Sequence, residues 1–219
     1  MEVPNIFKSP TSADDRQKKL EKIRKNRYQD PSGDFMSYGY DYFDNAEIHS
    51  GYRHYTYDGR FEEPVGDVIE TFGLTKDMKV ADYGCAKGYL LYEFKKKGHP
   101  VIGFERSEYA ITEAQPELKD DIVQCSDPAV LGDHSFDFLM SRCVLPHMDT
   151  DSITQLIELA IKNTRTKPYF VIHTFEIEAH REDYRYWDRT HVSIMNAVQW
   201  REFMKPFSDK LFFSLDYLF

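Results

Sequence analysis

The sequence predicts an α/β protein, a three-layer αβα sandwich built on a mostly parallel sheet. Three observations predict it. From residue 63 onwards, strand-length apolar runs alternate with helix-length amphipathic segments, the signature of βαβ units with right-handed crossovers. Gly73 and Gly98 each stand where a helical pattern stops, as glycine does when a helix ends in a left-handed turn. A glycine-containing turn, residues 84–88, joins the first strand directly to a helix.

The elements follow in order. Ser12, with Asp14 and Asp15 behind it, reads as a helix N-cap and an acidic first turn. Residues 16–27 then carry seven basic residues, with Leu20 and Ile23 as the main apolar pair. This predicts a solvated helix docked by one narrow stripe, the alternative being a basic arm for a nucleic acid or phosphate. Residues 37–61 are rich in Tyr, Gly, Asp and His, with Tyr38, Tyr40, Tyr42, Tyr52, Tyr55 and Tyr57. Such a stretch makes poor helix and reads as a loop or cap, lining a ligand or packing a lid.

Beyond it the pattern is regular: a helix through 68–72, a strand at 79–83 and a helix at 89–97 with Leu90, Leu91 and Phe94 on one side. A strand at 101–104, a helix at 108–114 and strands at 121–125 and 136–141 come next. Ile153, Leu156, Ile157, Ala160 and Ile161 keep the helical period, and residues 169–175 form an apolar strand. After a last helix near 196–205 only 210–219 remains, enough for one strand.

Composition narrows the function. The 219 residues hold 28 Lys+Arg and 37 Asp+Glu, a net charge of -9 that disfavours phosphate-driven nucleic-acid binding. No run approaches the ~20 apolar residues of a membrane helix, and residues 1–10 lack a secretory pattern. Cys85, Cys125 and Cys143 form no CxxC or Cys/His cluster, which disfavours disulfides and structural zinc and fits a reducing cytoplasm. A cytoplasmic small-molecule enzyme or a protein-binding module survives.

The informative run is Val80-Ala81-Asp82-Tyr83-Gly84-Cys85-Ala86-Lys87-Gly88. Its spacing is G-x-x-x-G, not the G-x-G-x-x-G that seats a pyrophosphate. The aspartate at the strand end suits a cationic or amino-bearing ligand instead. Glu105, at the end of the second strand and 17 residues beyond Gly88, emerges beside the turn, where a carboxylate can accept ribose hydroxyls.

Asp82-x-Gly84-Cys85-x-x-Gly88 followed by Glu105 resembles the class I S-adenosylmethionine-dependent methyltransferases. Cys125-Ser126-Asp127-Pro128, Ser135-Phe136-Asp137 and Val144-Leu145-Pro146-His147 match that family's later motifs in order, over residues 63–175. The resemblance implies a Rossmann-like fold and S-adenosylmethionine as cofactor. Gly84 and Gly88 would shape the turn, Asp82 would receive the amino group, Glu105 the ribose and Asp127 the adenine. Ala86 replaces the usual middle glycine and so reduces backbone freedom there. The family's sheet closes with an antiparallel pair, so this one would lack its final edge strand or be completed by another chain, such as a second copy in a homodimer. Residues 63–219 would be the methyltransferase domain, and residues 1–62 an N-terminal helix and Tyr-rich cap.

Residues 39–44 and 57–60 are similar to entrance segments of small bacterial methyltransferases associated with surface-polysaccharide building. That likeness makes Tyr57 and Arg60 candidates for the methionine carboxylate, which a guanidinium matches bidentately. It points to a sugar or phosphate-bearing acceptor. Methyl transfer from a sulfonium needs alignment, and a hydroxyl acceptor benefits from a base. His147 and His191 are the candidates, while His173 inside its strand reads as a core or supporting residue. Asp149 and Asp151 read as caps of the next helix, so no metal is required. The competing readings are an RNA or protein methyltransferase, which would need a basic face, and a catalytically silent cofactor-binding partner.

Overall fold

The computed structural model describes residues 1–7, 13–26, 30–48 and 50–218; Ser12 lies outside them, and its capping role with it. Six strands form one sheet: β1 (Val80–Tyr83), β2 (Val101–Glu105), β3 (Ile122–Gln124), β4 (Phe138–Arg142), β5 (Tyr169–Thr174) and β6 (Phe212–Tyr217). Their spatial order is β3-β2-β1-β4-β5-β6, and every pairing is parallel. The strand order reverses between β1 and β4, which opens a crevice above their carboxyl ends.

Alternating side chains along each strand feed two buried clusters, one per face. Val80, Phe138, Met140, Tyr169 and Val171 join Val65, Val68, Leu91 and Phe94 on one side. Ala81, Leu139, Phe170 and Ile172 join Ile153, Leu156, Ile157 and Trp200 on the other. The first face is covered by α4 (Glu62–Phe72) and α5 (Tyr89–Lys96), the second by α7 (Thr150–Asn163) and α9 (Ala197–Met204). Helix α4 stops at Gly73 in the left-handed region (φ 63°), and α7 is capped by Asp149, which accepts from the Ser152 N–H at 2.8 Å.

Two sequence expectations change. The Tyr-rich stretch is not wholly irregular, since α3 (Tyr40–Phe43) forms a single turn that buries Tyr42 and Phe43, preceded by α2 (Gly33–Met36), which buries Phe35. Helix α8 (Arg181–Trp187) was not expected, because its seven residues carry too short an apolar period to read. The expected absence of the final antiparallel edge strand holds among the described residues: β6 pairs parallel to β5, and no antiparallel strand joins the sheet. Its outer edge is met by the chain's own beginning: the Val3 N–H donates to Phe213 O at 2.8 Å, and the Phe213 N–H to Met1 O at 3.0 Å. Helix α1 (Ala13–Asn26) buries Leu20 and Ile23 and packs on α8, with Arg24 bonded to Asp183.

Candidate functional site

The turn after β1 is held in an improbable shape. Gly84, Ala86 and Gly88 all have positive φ, at 79°, 51° and 73°. A Cβ on Gly84 would sit 2.2 Å from Val144 Cγ2, so only glycine lets the turn approach the end of β4. Ala86 holds a left-handed conformation that disfavours a side chain, and its N–H is fastened to Glu105 Oε2 at 2.8 Å. Glu105 Oε1 accepts the N–H groups of Arg106 and Ser107, both at 2.8 Å. The carboxylate therefore ties the end of β2 to the turn while Oε2 keeps a lone pair for another donor. Burial nonetheless raises its pKa, against these three N–H bonds.

Asp82 is the exposed nerve of the site. It is 4% exposed, and its Oδ1 is buried with no hydrogen-bond partner. Burial, then the Glu105 charge, push its carboxyl up to about 7, partly offset by Arg142. A buried carboxylate without a donor is costly unless a ligand supplies one. Above the turn lies a cleft of about 690 Å³ that is open to solvent. Gly84, Ala86, Glu105, Cys125, Ser126 and Val144 help to line it. The orphaned acceptor suits a small ligand with a cationic or amino-bearing end.

Three predicted residues lie elsewhere. The Tyr57 hydroxyl donates to Glu93 Oε1 at 2.5 Å and accepts from Lys96 at 3.1 Å on the surface of α5. Arg60 forks onto Asp58, with Nε to Oδ1 at 2.8 Å and Nη2 to Oδ2 at 2.6 Å. Asp127 is exposed and caps the following turn by accepting the Ala129 N–H at 2.8 Å. None of the three lines the cleft, and neither do Asp82, Gly88 or His191.

Lys87 was missed by sequence reasoning. It is 3% exposed, and its Nζ reaches Asp44 Oδ2 at 2.5 Å and Tyr55 O at 2.9 Å. Asp44 also accepts the Tyr109 hydroxyl at 2.6 Å. A lysine in a glycine turn reads as solvated, and only the fold brings Asp44 above it.

The histidines diverge. A chain of hydrogen bonds runs from the Tyr42 hydroxyl to Asp188 Oδ2 at 2.8 Å, and from the Thr190 hydroxyl to Asp188 Oδ1 at 2.7 Å. Thr190 has spent its proton on Asp188, so at 2.8 Å from His147 Nδ1 it can only accept. His147 thereby carries its proton on Nδ1 and presents the Nε2 lone pair. Burial lowers its pKa, against the nearby Asp188 charge, so the ring is neutral near pH 7. His191 stacks on Tyr184 with ring centroids 4.5 Å apart, and neither of its buried nitrogens has a partner. Burial, then His147, bring it down to about 3. Burial lowers the His173 pKa, but Asp216 at 3.2 Å and the neighbouring Cys143 outweigh it and hold the ring up at about 10. Two groups have donor atoms within 4.8 Å of one another, as metal ligands would: His147 with Asp188 and His191, and Cys143 with His173 and Asp216. In the first, both Asp188 oxygens are already engaged by hydroxyl donors.

A Methyltransferase domain family model matches residues 52–207. The chain belongs to that family. Among solved structures, it is similar to a SAM-dependent methyltransferase from Archaeoglobus fulgidus, at 20% identity and a TM-score of 0.54 over 67% of this chain and 66% of that one. The YcgJ protein from Bacillus subtilis matches at 15% identity and a TM-score of 0.50, over 65% of this chain and 66% of that one. The chain spans about two thirds of the length of these structures, and at such identities the likeness is one of fold. No curated protein matches. Family membership makes S-adenosylmethionine the cofactor.

Proposed function

We propose that this chain transfers the methyl group of S-adenosylmethionine to a hydroxyl, or an amine, of a small polar metabolite. The donor occupies the cleft over residues 84–88, with its amino group on Asp82 Oδ1 and a ribose hydroxyl on Glu105 Oε2. When bound, the sulfonium supplies an activated methyl group, so the protein has chiefly to align and deprotonate the acceptor. His147 is the base, and Thr190 and Asp188 are positioning residues that hold its proton on Nδ1. The observation that carries this is the Asp188–Thr190–His147 chain of 2.7 and 2.8 Å bonds, whose His147 lines the cleft.

Residues 1–62 act as a cap on the methyltransferase body of residues 63–219. A sugar or phosphate-bearing intermediate of surface-polysaccharide building is the acceptor we favour, supported by the likeness of segments 39–44 and 57–60. No described helix is long and apolar enough to cross a membrane, in keeping with a cytoplasmic site of action.

The test uses labelled methyl donor and a panel of hydroxyl- and amine-bearing sugars and sugar phosphates. His147→Ala should lower turnover on a hydroxyl acceptor by roughly 10²–10⁴-fold with donor affinity unchanged. Turnover should hold at neutral pH and fall on the acid side, below the ordinary histidine value of 6.5, as His147 takes up a proton. Full activity in His147→Ala would remove the histidine from catalysis, and failure of the chain to bind the donor would remove the reading altogether.

A further inference from the structure

A second cavity, of about 1080 Å³, adjoins the cleft and shares Tyr42, Tyr52, Arg142, Cys143 and His147 with it. Its charged lining is Lys19, Arg60, Arg142, His173, Asp188 and Asp216. These groups differ in whether they are satisfied. Asp188 accepts from Tyr42 and Thr190, and Asp216 stands 3.2 Å from His173. Arg60 is forked on Asp58. Arg142 has no such arrangement.

The Arg142 side chain is 21% exposed, and its Nε is buried without a partner. No N–H of its guanidinium makes a hydrogen bond to a described residue. The nearest carboxylate oxygen is that of Asp216, 3.9 Å from Nη2 and beyond hydrogen-bond distance. The guanidinium carbon lies 5.5 and 5.7 Å from the ring centres of Phe7 and Phe61. A planar fork of five donors, screened by aromatic walls and left without an acceptor, is costly unless a ligand anion completes it. Lys19 adds a second cation, its Nζ 3.9 Å from the Trp187 ring centre and 3.5 Å from Gly51 O.

Resting on the methyl-transfer reading above, we propose that this second cavity is the acceptor site and that Arg142, helped by Lys19, binds an anionic group of the acceptor, a phosphate monoester or a carboxylate. Arg142 and His147 both border the two cavities, so an acceptor anchored at the guanidinium can extend its nucleophilic group to His147 and the donor's methyl. The anion sets which molecules are methylated. The base acts on whichever group they present.

The experiment titrates the full chain with phenyl phosphate, benzoate and benzyl alcohol, by calorimetry, with and without S-adenosylhomocysteine. At least one anion should bind tenfold or more tighter than the alcohol, and the stronger of the two identifies the group. Arg142→Met should abolish that preference and, because the guanidinium borders the donor cleft and steadies the Asp82 charge, weaken S-adenosylhomocysteine by no more than a few-fold; Lys19→Gln should reduce the preference several-fold and keep wild-type affinity for S-adenosylhomocysteine. Should Arg142→Met not fold, Arg142→Lys, which keeps the charge and loses the fork, should give an intermediate preference. Equal binding of anions and alcohol, or an anion preference that survives loss of the guanidinium, would overturn the proposal. So would a large loss of S-adenosylhomocysteine affinity in the Arg142 variants, since it would place the guanidinium on the donor. A wild-type chain that prefers anions yet ignores S-adenosylhomocysteine would leave the anion site standing and sink the methyl-transfer reading instead.

Discussion

Asp82 shows how a single residue trades stability for a ligand. Its carboxyl sits near 7 in the folded chain against 3.8 ordinarily, so the folded state holds a proton that the unfolded state has released. Stability from this group is full below about pH 4 and declines as pH rises towards 7, each unit being worth about 1.4 kcal/mol. Asp82→Asn, which needs no charge buried, should therefore raise the melting midpoint at pH 8 by roughly 2–4 °C for each kcal/mol recovered, and should make no difference at pH 4. The same substitution should weaken S-adenosylmethionine binding, and the wild-type affinity should strengthen as pH rises through 7. Melting curves and donor titrations at the two pH values check both halves. His147 and His191 illustrate the limit of reading residues singly. Both are loop histidines near the same strand ends, and nothing local to either separates them. Thr190 and Asp188, from the segment that follows α8, assign a tautomer to one, while the Tyr184 ring buries the other.

At the scale of elements, the β1-turn-α5 unit was legible because glycine spacing, strand apolarity and helix period are all local. Gly84, Gly88 and Glu105 come together as the spacing implied, Glu105 gripping the Ala86 N–H. The entrance segment was not legible to the same degree. Tyr57 and Arg60 suited a carboxylate in the sequence but bond to Glu93 and Asp58, because an exposed cation or phenol takes the nearest charged partner. The residue that does join the cap to the turn is Lys87, through Asp44 and Tyr55. Lys87→Met should leave Asp44 with a largely buried charge and cost about 3 kcal/mol in urea unfolding. It should also loosen the donor, and Asp44→Asn in the same chain should return part of the loss. Strand β6 shows the converse. Its apolar sequence predicted an edge in need of cover, and the cover turns out to be residues 1–3 of the same chain.

For the whole molecule, cap and body are packed as one. Phe35, Tyr42, Phe43 and Tyr55 from the cap lie in the same buried cluster as Val65, Leu91 and Phe138 from the body. Lys19 of α1 lines the second cavity, and Tyr42 donates to Asp188 across 146 residues of sequence. With no separate core in the cap, calorimetry should record a single unfolding transition, its van't Hoff and calorimetric enthalpies equal. Two resolved transitions would mean that the cap folds independently.

The αβα layering, the strand-turn-helix unit, its glycines and the two acids beside them are settled by the order of residues alone, because periodicity and backbone conformation act over short distances. The sheet's wholly parallel closure, the different surroundings of His147 and His191, the burial of Lys87 and the unanswered guanidinium of Arg142 were decided only by tertiary structure. Each depends on which groups meet across long stretches of chain, and a hydrogen bond or a desolvated charge is defined by the partner it finds or lacks.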